Sequence, residues 1–170
     1  MTLFRPAALP LVTAFALMLS MAPIAHAESA DGWAFGLGAF DIGKDFTAAE
    51  AMIEYRWEPF DLWGTGIELK PTVGLAGNDD GGVWGHVGFR WDMSTSGRWI
   101  PTLGFAVTAY EEGDGKDLGS TLQFRSSIEI AYRLDSGNRI GLMLYHLSNA
   151  SLYDFNPGEE SLLLTYSLGR

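Results

Sequence analysis

The chain has 170 residues, enough for one domain, and no break in composition marks a second. It carries 21 acidic and 11 basic residues, a formal charge of −10 at pH 7, which argues against a nucleic-acid partner because phosphate binding needs a basic surface. With no cysteine, it can form neither disulfides nor thiolate metal sites.

Residues 1–27 have the pattern of a secretory signal peptide. Arg5 supplies the basic start, an apolar run follows, and the segment ends in Ala25-His26-Ala27, a small-residue cleavage site. A membrane anchor is the alternative, but Pro10 and Pro23 interrupt the run and the cleavage pattern follows it. We therefore expect an exported domain of residues 28–170.

From Trp33 onward, apolar residues alternate with small or polar ones, the period-2 pattern of β-strands. The pattern recurs in eight segments of about ten residues, the length of a tilted strand that crosses a membrane. The apolar face of each segment in turn comprises Trp33, Phe35, Leu37 and Ala39; Ala51, Ile53, Tyr55 and Trp57; Ile67, Leu69, Val73 and Leu75; Val83, Val87, Phe89 and Trp91; Leu103, Phe105, Val107 and Ala109; Leu122, Phe124, Ile128, Ile130, Tyr132 and Leu134; Ile140, Leu142 and Leu144; and Leu162, Leu164, Tyr166 and Leu168.

The connections between these segments fall into two alternating sets. Short turns are expected at 59–63, 94–98 and 135–138, and loops that are in several cases longer and richer in Asp, Glu and Gly at 43–47, 77–82, 111–120 and 149–159. Such alternation is typical of outer-membrane barrels. We predict an all-β, eight-stranded antiparallel outer-membrane β-barrel, too narrow for a wide channel.

The face opposite the apolar one carries charges of both signs, which would pair inside the barrel. They are Glu54, Arg56, Glu68, Lys70, Arg90, Arg125, Glu129 and Arg133. We interpret them as structural ion pairs. His86 has the same inward parity and is interpreted as structural too.

The seventh segment places His146 and Ser148 on the face of Ile140, Leu142 and Leu144. Same-face neighbours on a strand lie about 7 Å apart, so an imidazole can reach a hydroxyl two residues on. Glu160 shares the outward parity of the eighth segment, and the intervening hairpin brings it near His146, whereas Glu159 points inward. These residues form a candidate Ser-His-acid triad.

An alternative reading makes His146 an interfacial histidine beside a hydroxyl, in the headgroup zone where polarity costs little. Polar residues on a lipid-facing surface are otherwise costly and usually functional. If both termini are periplasmic, the triad lies at the outer end of its strands and faces the outer leaflet. An acyl hydrolase there would meet the acyl chains of lipopolysaccharide.

The runs His146-Leu147-Ser148-Asn149-Ala150 and Asn156-Pro157-Gly158-Glu159-Glu160 resemble the C-terminal signature of the lipid A 3-O-deacylases, the PagL family. The resemblance covers the last thirty or so residues closely and the rest by architecture. It implies a cofactor-free and metal-free enzyme that removes the acyl chain from position 3 of lipid A. Ser148 would be the nucleophile, His146 the base and Glu160 the orienting acid. One departure is the C-terminus, Leu168-Gly169-Arg170, where such barrels commonly end in an aromatic.

The resemblance also implies that Asn149 and Asn156 help build the oxyanion hole. The alternative for both is turn formation, since Asn156-Pro157-Gly158 is strong turn chemistry. Two other functions stay open: a non-enzymatic structural or adhesive barrel, and a palmitoyltransferase, whose interior acyl pocket the sequence does not reveal. The sequence leaves both a monomer and a homodimer open.

Overall fold

The computed structural model describes residues 32–43, 45–93 and 96–169. The predicted signal peptide lies outside these residues. The strands are β1 (Gly32–Phe40), β2 (Ala48–Arg56), β3 (Phe60–Asp61), β4 (Glu68–Asn78), β5 (Val83–Asp92), β6 (Trp99–Glu111), β7 (Leu122–Arg133), β8 (Arg139–Ser148) and β9 (Glu159–Ser167). No helix among the described residues is long and apolar enough to cross a membrane.

The sheet closes on itself. Each long strand pairs antiparallel with the next, β2 pairs with β4, and β1 pairs with β9, which joins the two ends of the sheet. The two-residue β3 is an added piece that pairs only with the start of β4. Eight long strands therefore form the closed wall, which confirms the predicted eight-stranded antiparallel barrel.

The alternation of faces follows the predicted parity. In β6, for example, Leu103, Phe105 and Val107 are exposed while Thr102 and Ala106 are buried. One residue assigned to the outward face differs. Tyr166, near the end of β9, is buried, and its hydroxyl accepts a hydrogen bond of 2.7 Å from Asn138 in the β7–β8 turn.

The barrel interior is filled by an ion-pair network. Glu54 and Glu129 are both buried among guanidinium groups: Glu54 contacts those of Arg56, Arg90 and Arg125, and Glu129 contacts those of Arg56 and Arg90. Toward the end of the barrel at which β1 begins and β9 ends, Asp92 forms ion pairs with Lys70 at 3.2 Å and Arg139 at 2.7 Å. The expectation of paired interior charges is confirmed for six of the eight predicted residues, Glu54, Arg56, Lys70, Arg90, Arg125 and Glu129.

The interior assignment is wrong for Glu68, and it holds only in part for Arg133. Glu68 is exposed because it is the first residue of β4, at the rim where the wall no longer encloses a side chain. Arg133 is half-buried because it is the last residue of β7, at the same rim. Inward parity buries a charge only where strands flank it on both sides.

The barrel has two distinct ends. One end, which we call the terminal end, contains the start of β1, the end of β9, the connections 57–67 and 134–138, and residues 93 and 96–98. The other, the loop end, contains residues 41–43 and 45–47 and the connections 79–82, 112–121 and 149–158. The predicted contrast in length is only partly correct, because 57–67 is long and includes β3 whereas 79–82 is a tight turn.

Candidate active site

His146 and Glu160 face each other across the β8–β9 pair at the loop end. They are direct cross-strand partners in the register, so their side chains project side by side from the outer surface. His146 Nδ1 lies 3.1 Å from Glu160 Oε1, and the two side chains are 42% and 39% exposed. The carboxylate engages Nδ1, which leaves Nε2 as the nitrogen available to a nucleophile.

Ser148 lies two residues beyond His146 on the same outward face. It is half-buried and is the last residue of β8. Its cross-strand partner is Phe124 of β7, while the β8–β9 pairing ends one residue earlier, at Leu147 and Glu159. Among the described residues, its hydroxyl forms no hydrogen bond with His146; such contacts are often loose before substrate binds.

The 149–158 loop ends on a glycine that packs against the histidine ring. Gly158 has φ +61°, and a Cβ added there would come within 2.7 Å of His146 Cε1. Any side chain would therefore be strained by its backbone and would displace the imidazole. Gly158 lets the loop approach the ring closely. The sequence predicted only that this glycine forms part of a turn.

The two asparagines proposed for oxyanion stabilisation hold the loop together. Asn149 is fully buried, and its Nδ2 donates to Phe155 O at 2.8 Å and to Leu118 O at 3.2 Å. Its backbone N–H donates to Asn156 Oδ1 at 3.0 Å. Asn156 Nδ2 lies nearer the surface, 3.4 Å from Ser151 Oγ. The Asn149 side-chain donors are thus committed inside the loop, whereas the Asn156 amide lies at its surface.

A groove of about 230 Å³ runs along the outer wall beside the histidine. Its apolar walls include Ile128 and Leu144, which are direct partners across β7 and β8, and its polar end includes Ser126, His146 and Glu160. Sequence reasoning missed Ser126. The available signal was its outward parity between Phe124 and Ile128, a polar residue on an apolar face.

The described residues contain no group of three or more His, Asp or Glu side chains placed to hold a metal ion. The other histidine among the described residues, His86, lies inside the barrel, 3.0 Å from Glu54, as its parity predicted. The structure therefore brings together the outward polar residues at one place: His146 and Glu160 by direct contact, with Ser148 next on the same face.

Comparison with known proteins places this geometry in context. The family model described as "Lipid A 3-O-deacylase (PagL)" matches residues 49–169, which include every candidate residue of the site. The curated protein "Lipid A deacylase PagL" of Bordetella bronchiseptica is 32% identical over 116 residues, 62% of this chain. The match spans 64% of that relative's length.

A solved structure shares the architecture. The "Crystal structure of the outer membrane enzyme PagL" superposes with a TM-score of 0.63 over 81% of this chain and 99% of that one, at 24% sequence identity. At that identity, the likeness supports the fold alone, and it agrees with the closed eight-stranded wall described above.

Proposed function

The chain belongs to the lipid A 3-O-deacylase (PagL) family, and on that premise we propose that it hydrolyses the ester that links an acyl chain to position 3 of lipid A. The observation that carries the proposal is the His146–Glu160 pair, hydrogen-bonded on the outer wall at the mouth of an apolar groove, with Ser148 on the same face. The proposed reaction needs no cofactor.

The outer surface suits a protein that lies in the bacterial outer membrane. Between the two ends, its exposed side chains are apolar, as in Val87, Ile128 and Leu164, and a closed barrel leaves no strand edge unpaired in lipid. With both termini on the periplasmic side, the loop end is extracellular. The site then faces the outer leaflet, where lipid A lies.

The groove supports an acyl substrate. Ile128 and Leu144 extend from the histidine toward the middle of the wall, so an acyl chain laid against them points into the bilayer. The ester at the head of that chain then lies beside His146, at the level of the headgroups. Holding the ester there places it near the nucleophile, which lowers the entropic cost of reaction.

The proposed mechanism divides ester cleavage into two steps. Ser148 Oγ attacks the ester carbonyl carbon while His146 Nε2 takes the hydroxyl proton, and the tetrahedral intermediate collapses as Nε2 returns that proton to the departing 3-oxygen of the sugar. Water then adds to the acyl-serine with His146 again as base, and the fatty acid leaves as Ser148 regains its proton. Glu160 orients the ring through Nδ1 and stabilises the imidazolium form.

The oxyanion needs hydrogen-bond donors at the loop. We assign Asn156 Nδ2 as a donor, because it lies at the loop surface and its contact with Ser151, at 3.4 Å, is long enough to yield to a substrate oxygen. Asn149 supports the same hole by fixing Asn156 Oδ1 through its backbone N–H. The side chain of Asn149 then acts on the loop rather than on the substrate.

Mass spectrometry of lipid A from a bacterial host tests the proposal. The host would express the wild type, Ser148→Ala, or Ser136→Ala, a matched change in the β7–β8 turn at the terminal end. We expect the loss of one hydroxyacyl mass with the wild type and Ser136→Ala, and unchanged lipid A with Ser148→Ala. Loss with Ser148→Ala would remove that residue from its role. Unchanged lipid A with every protein, each folded, would favour a structural or adhesive barrel.

A further inference from the structure

A buried ion pair joins two loops inside the mouth of the barrel. Lys116 Nζ lies 2.6 Å from Asp41 Oδ1, and the residues are 8% and 0% exposed. Asp41 belongs to the β1–β2 connection and Lys116 to the β6–β7 connection, so neither is held in a strand. A desolvated pair of this kind is costly to form and is disrupted severely by the removal of one partner.

The aspartate end of the pair contacts the strand that carries the catalytic acid. The backbone N–H of Asp41 donates to Glu159 Oε2 at 3.3 Å, and that of Ile42 donates to Glu160 O at 2.8 Å. Asp41 also adopts φ 49°, the left-handed conformation that non-glycine residues rarely hold unless their surroundings fix it. The position of Asp41 is therefore coupled to the start of β9.

The loop that carries Lys116 contacts the segment that follows the proposed nucleophile. The Tyr110 hydroxyl donates to Lys116 O at 2.7 Å, which fixes the loop against the barrel interior. Two residues later, Leu118 is buried, and its carbonyl accepts a hydrogen bond of 3.2 Å from Asn149 Nδ2. Asn149 directly follows Ser148, so the position of Lys116 is coupled to the end of β8.

These links matter because Ser148 lies one residue beyond the last pair of the β8–β9 ladder. The last β8–β9 pair is Leu147 with Glu159, so Ser148 is paired only with β7. Regular ladder hydrogen bonds fix His146 opposite Glu160 but leave the serine without a β9 partner in the register. The loop contacts therefore add a second link between this end of β8 and the start of β9.

We propose that Asp41 and Lys116 form a positioning pair for the active site. The pair closes a chain of contacts from Glu159 and Glu160 through the Asp41–Ile42 backbone, Lys116 and Leu118 to Asn149, and so fixes the distance between the acid and the nucleophile from inside the barrel. The inference rests on the proposed hydrolase function. Neither residue touches substrate; both act through the strand ends.

The test compares two buried lysines at opposite ends of the barrel. Lys116→Met removes the cation of the positioning pair, and Lys70→Met is the matched control, since Lys70 is similarly buried and lies 3.2 Å from Asp92. Asp41→Asn, the double variant and Lys116→Arg complete the set. For each purified protein we would measure the folded fraction by heat-modifiable gel migration, kcat and KM on lipid A in detergent, and the rate at which a fluorophosphonate labels Ser148.

We expect kcat and the labelling rate of folded Lys116→Met and of Asp41→Asn to fall ~10- to 100-fold with KM within ~3-fold, the signature of a misplaced nucleophile. The double variant should be no worse than either single one, because both break the same link. Lys116→Arg should recover most of the activity. Lys70→Met should lower the folded fraction while the folded protein keeps its kcat. If Lys116→Met does not assemble, Asp41→Asn keeps the side-chain shape and gives the same comparison.

Two outcomes would overturn the pair alone, provided the wild type is active: wild-type kcat and labelling in folded Lys116→Met and Asp41→Asn, or an equal loss of kcat in folded Lys70→Met. A folded wild type that neither hydrolyses lipid A nor reacts with the fluorophosphonate would overturn the hydrolase function, and the positioning role with it. The two failures are therefore distinguished by the wild type.

Discussion

The described part of the barrel contains two histidine–glutamate pairs with nearly equal separations and opposite surroundings. On the outer wall, His146 Nδ1 lies 3.1 Å from Glu160 Oε1 with both side chains about two-fifths exposed. In the interior, His86 Nε2 lies 3.0 Å from Glu54 Oε2 with both side chains essentially inaccessible. The same two residue types at nearly the same separation therefore occur once beside an apolar groove on the outer wall and once in the barrel interior.

The neighbours of each pair explain the difference. Around the inner pair, Arg125 lies 3.4 Å from the His86 ring and 3.5 Å from Glu54, and Arg90 lies 3.7 Å from the same carboxylate. The inner glutamate thus balances buried cations, as a low-dielectric interior requires. The outer pair has Ser148 two residues on and an apolar groove beside it. Exposure, the adjacent groove and the neighbouring serine, rather than the His–Glu distance, distinguish the pair that we propose to be catalytic.

The largest difference is expected when each of the two histidines is replaced by asparagine. His146→Asn should lower kcat by ~10⁴-fold or more, as the loss of a catalytic base does, with little change in stability. His86→Asn should keep the kcat of the folded protein within ~3-fold but cost about 1–3 kcal/mol of unfolding free energy through a lost buried hydrogen bond. Turnover of lipid A and urea unfolding measure both. A loss of kcat in folded His86→Asn would contradict the assignment.

Replacing the two glutamates should likewise affect kcat in one case and stability in the other, with a smaller effect on kcat than the histidine replacement has. Glu160→Gln should lower kcat ~10²- to 10⁴-fold, since it removes the group that orients the ring and stabilises its charged form. Glu54→Gln should instead destabilise the barrel by about 3–5 kcal/mol, because it leaves buried guanidinium charge uncompensated. The same two assays apply. Equal stability loss in both variants, with kcat retained in both, would contradict a catalytic role for Glu160.

The smallest effect is expected from replacing two glycines that both have positive φ angles, one in contact with the His146 ring and one remote from it. Gly158→Ala should lower kcat ~10-fold, because the new methyl group displaces the His146 ring. Gly64→Ala is the matched control: its φ of +76° carries a similar strain, but no heavy atom lies within 4 Å of the added Cβ. Both variants should lose about 1–2 kcal/mol of stability from that backbone strain. A similar kcat for the two folded variants would show that contact with the ring is unimportant.

Much of this architecture can be predicted from local sequence. Alternation in segments of about ten residues indicates which residues face outward, and it predicts His146, Ser148 and Glu160 on one surface and His86 inside. The hairpin between β8 and β9 then places Glu160 near His146, because a strand pair joined by a single loop sets its own register to within a few residues. These inferences need only period-2 parity and short-range connectivity.

The interior arrangement could not be predicted in this way. Asp41 and Lys116 are 75 positions apart and lie in loops without periodicity, so nothing local indicates that they meet. The buried side chain of Asn149 and the contact between Gly158 and His146 likewise depend on how the 149–158 loop folds over the wall. The exposure of Glu68 depends on where each strand passes beyond the rim.

The sequence by itself thus determined the two faces of the wall, the number of long strands and the outward position of His146, Ser148 and Glu160, since side-chain direction along a strand depends only on parity. Closure of the barrel decided the rest. Only when β1 pairs with β9 do the loops of distant strands share one mouth, and only there does Asp41 meet Lys116 behind the strand ends that carry the proposed catalytic residues. Those contacts depend on the three-dimensional path of the chain, which no window of sequence contains.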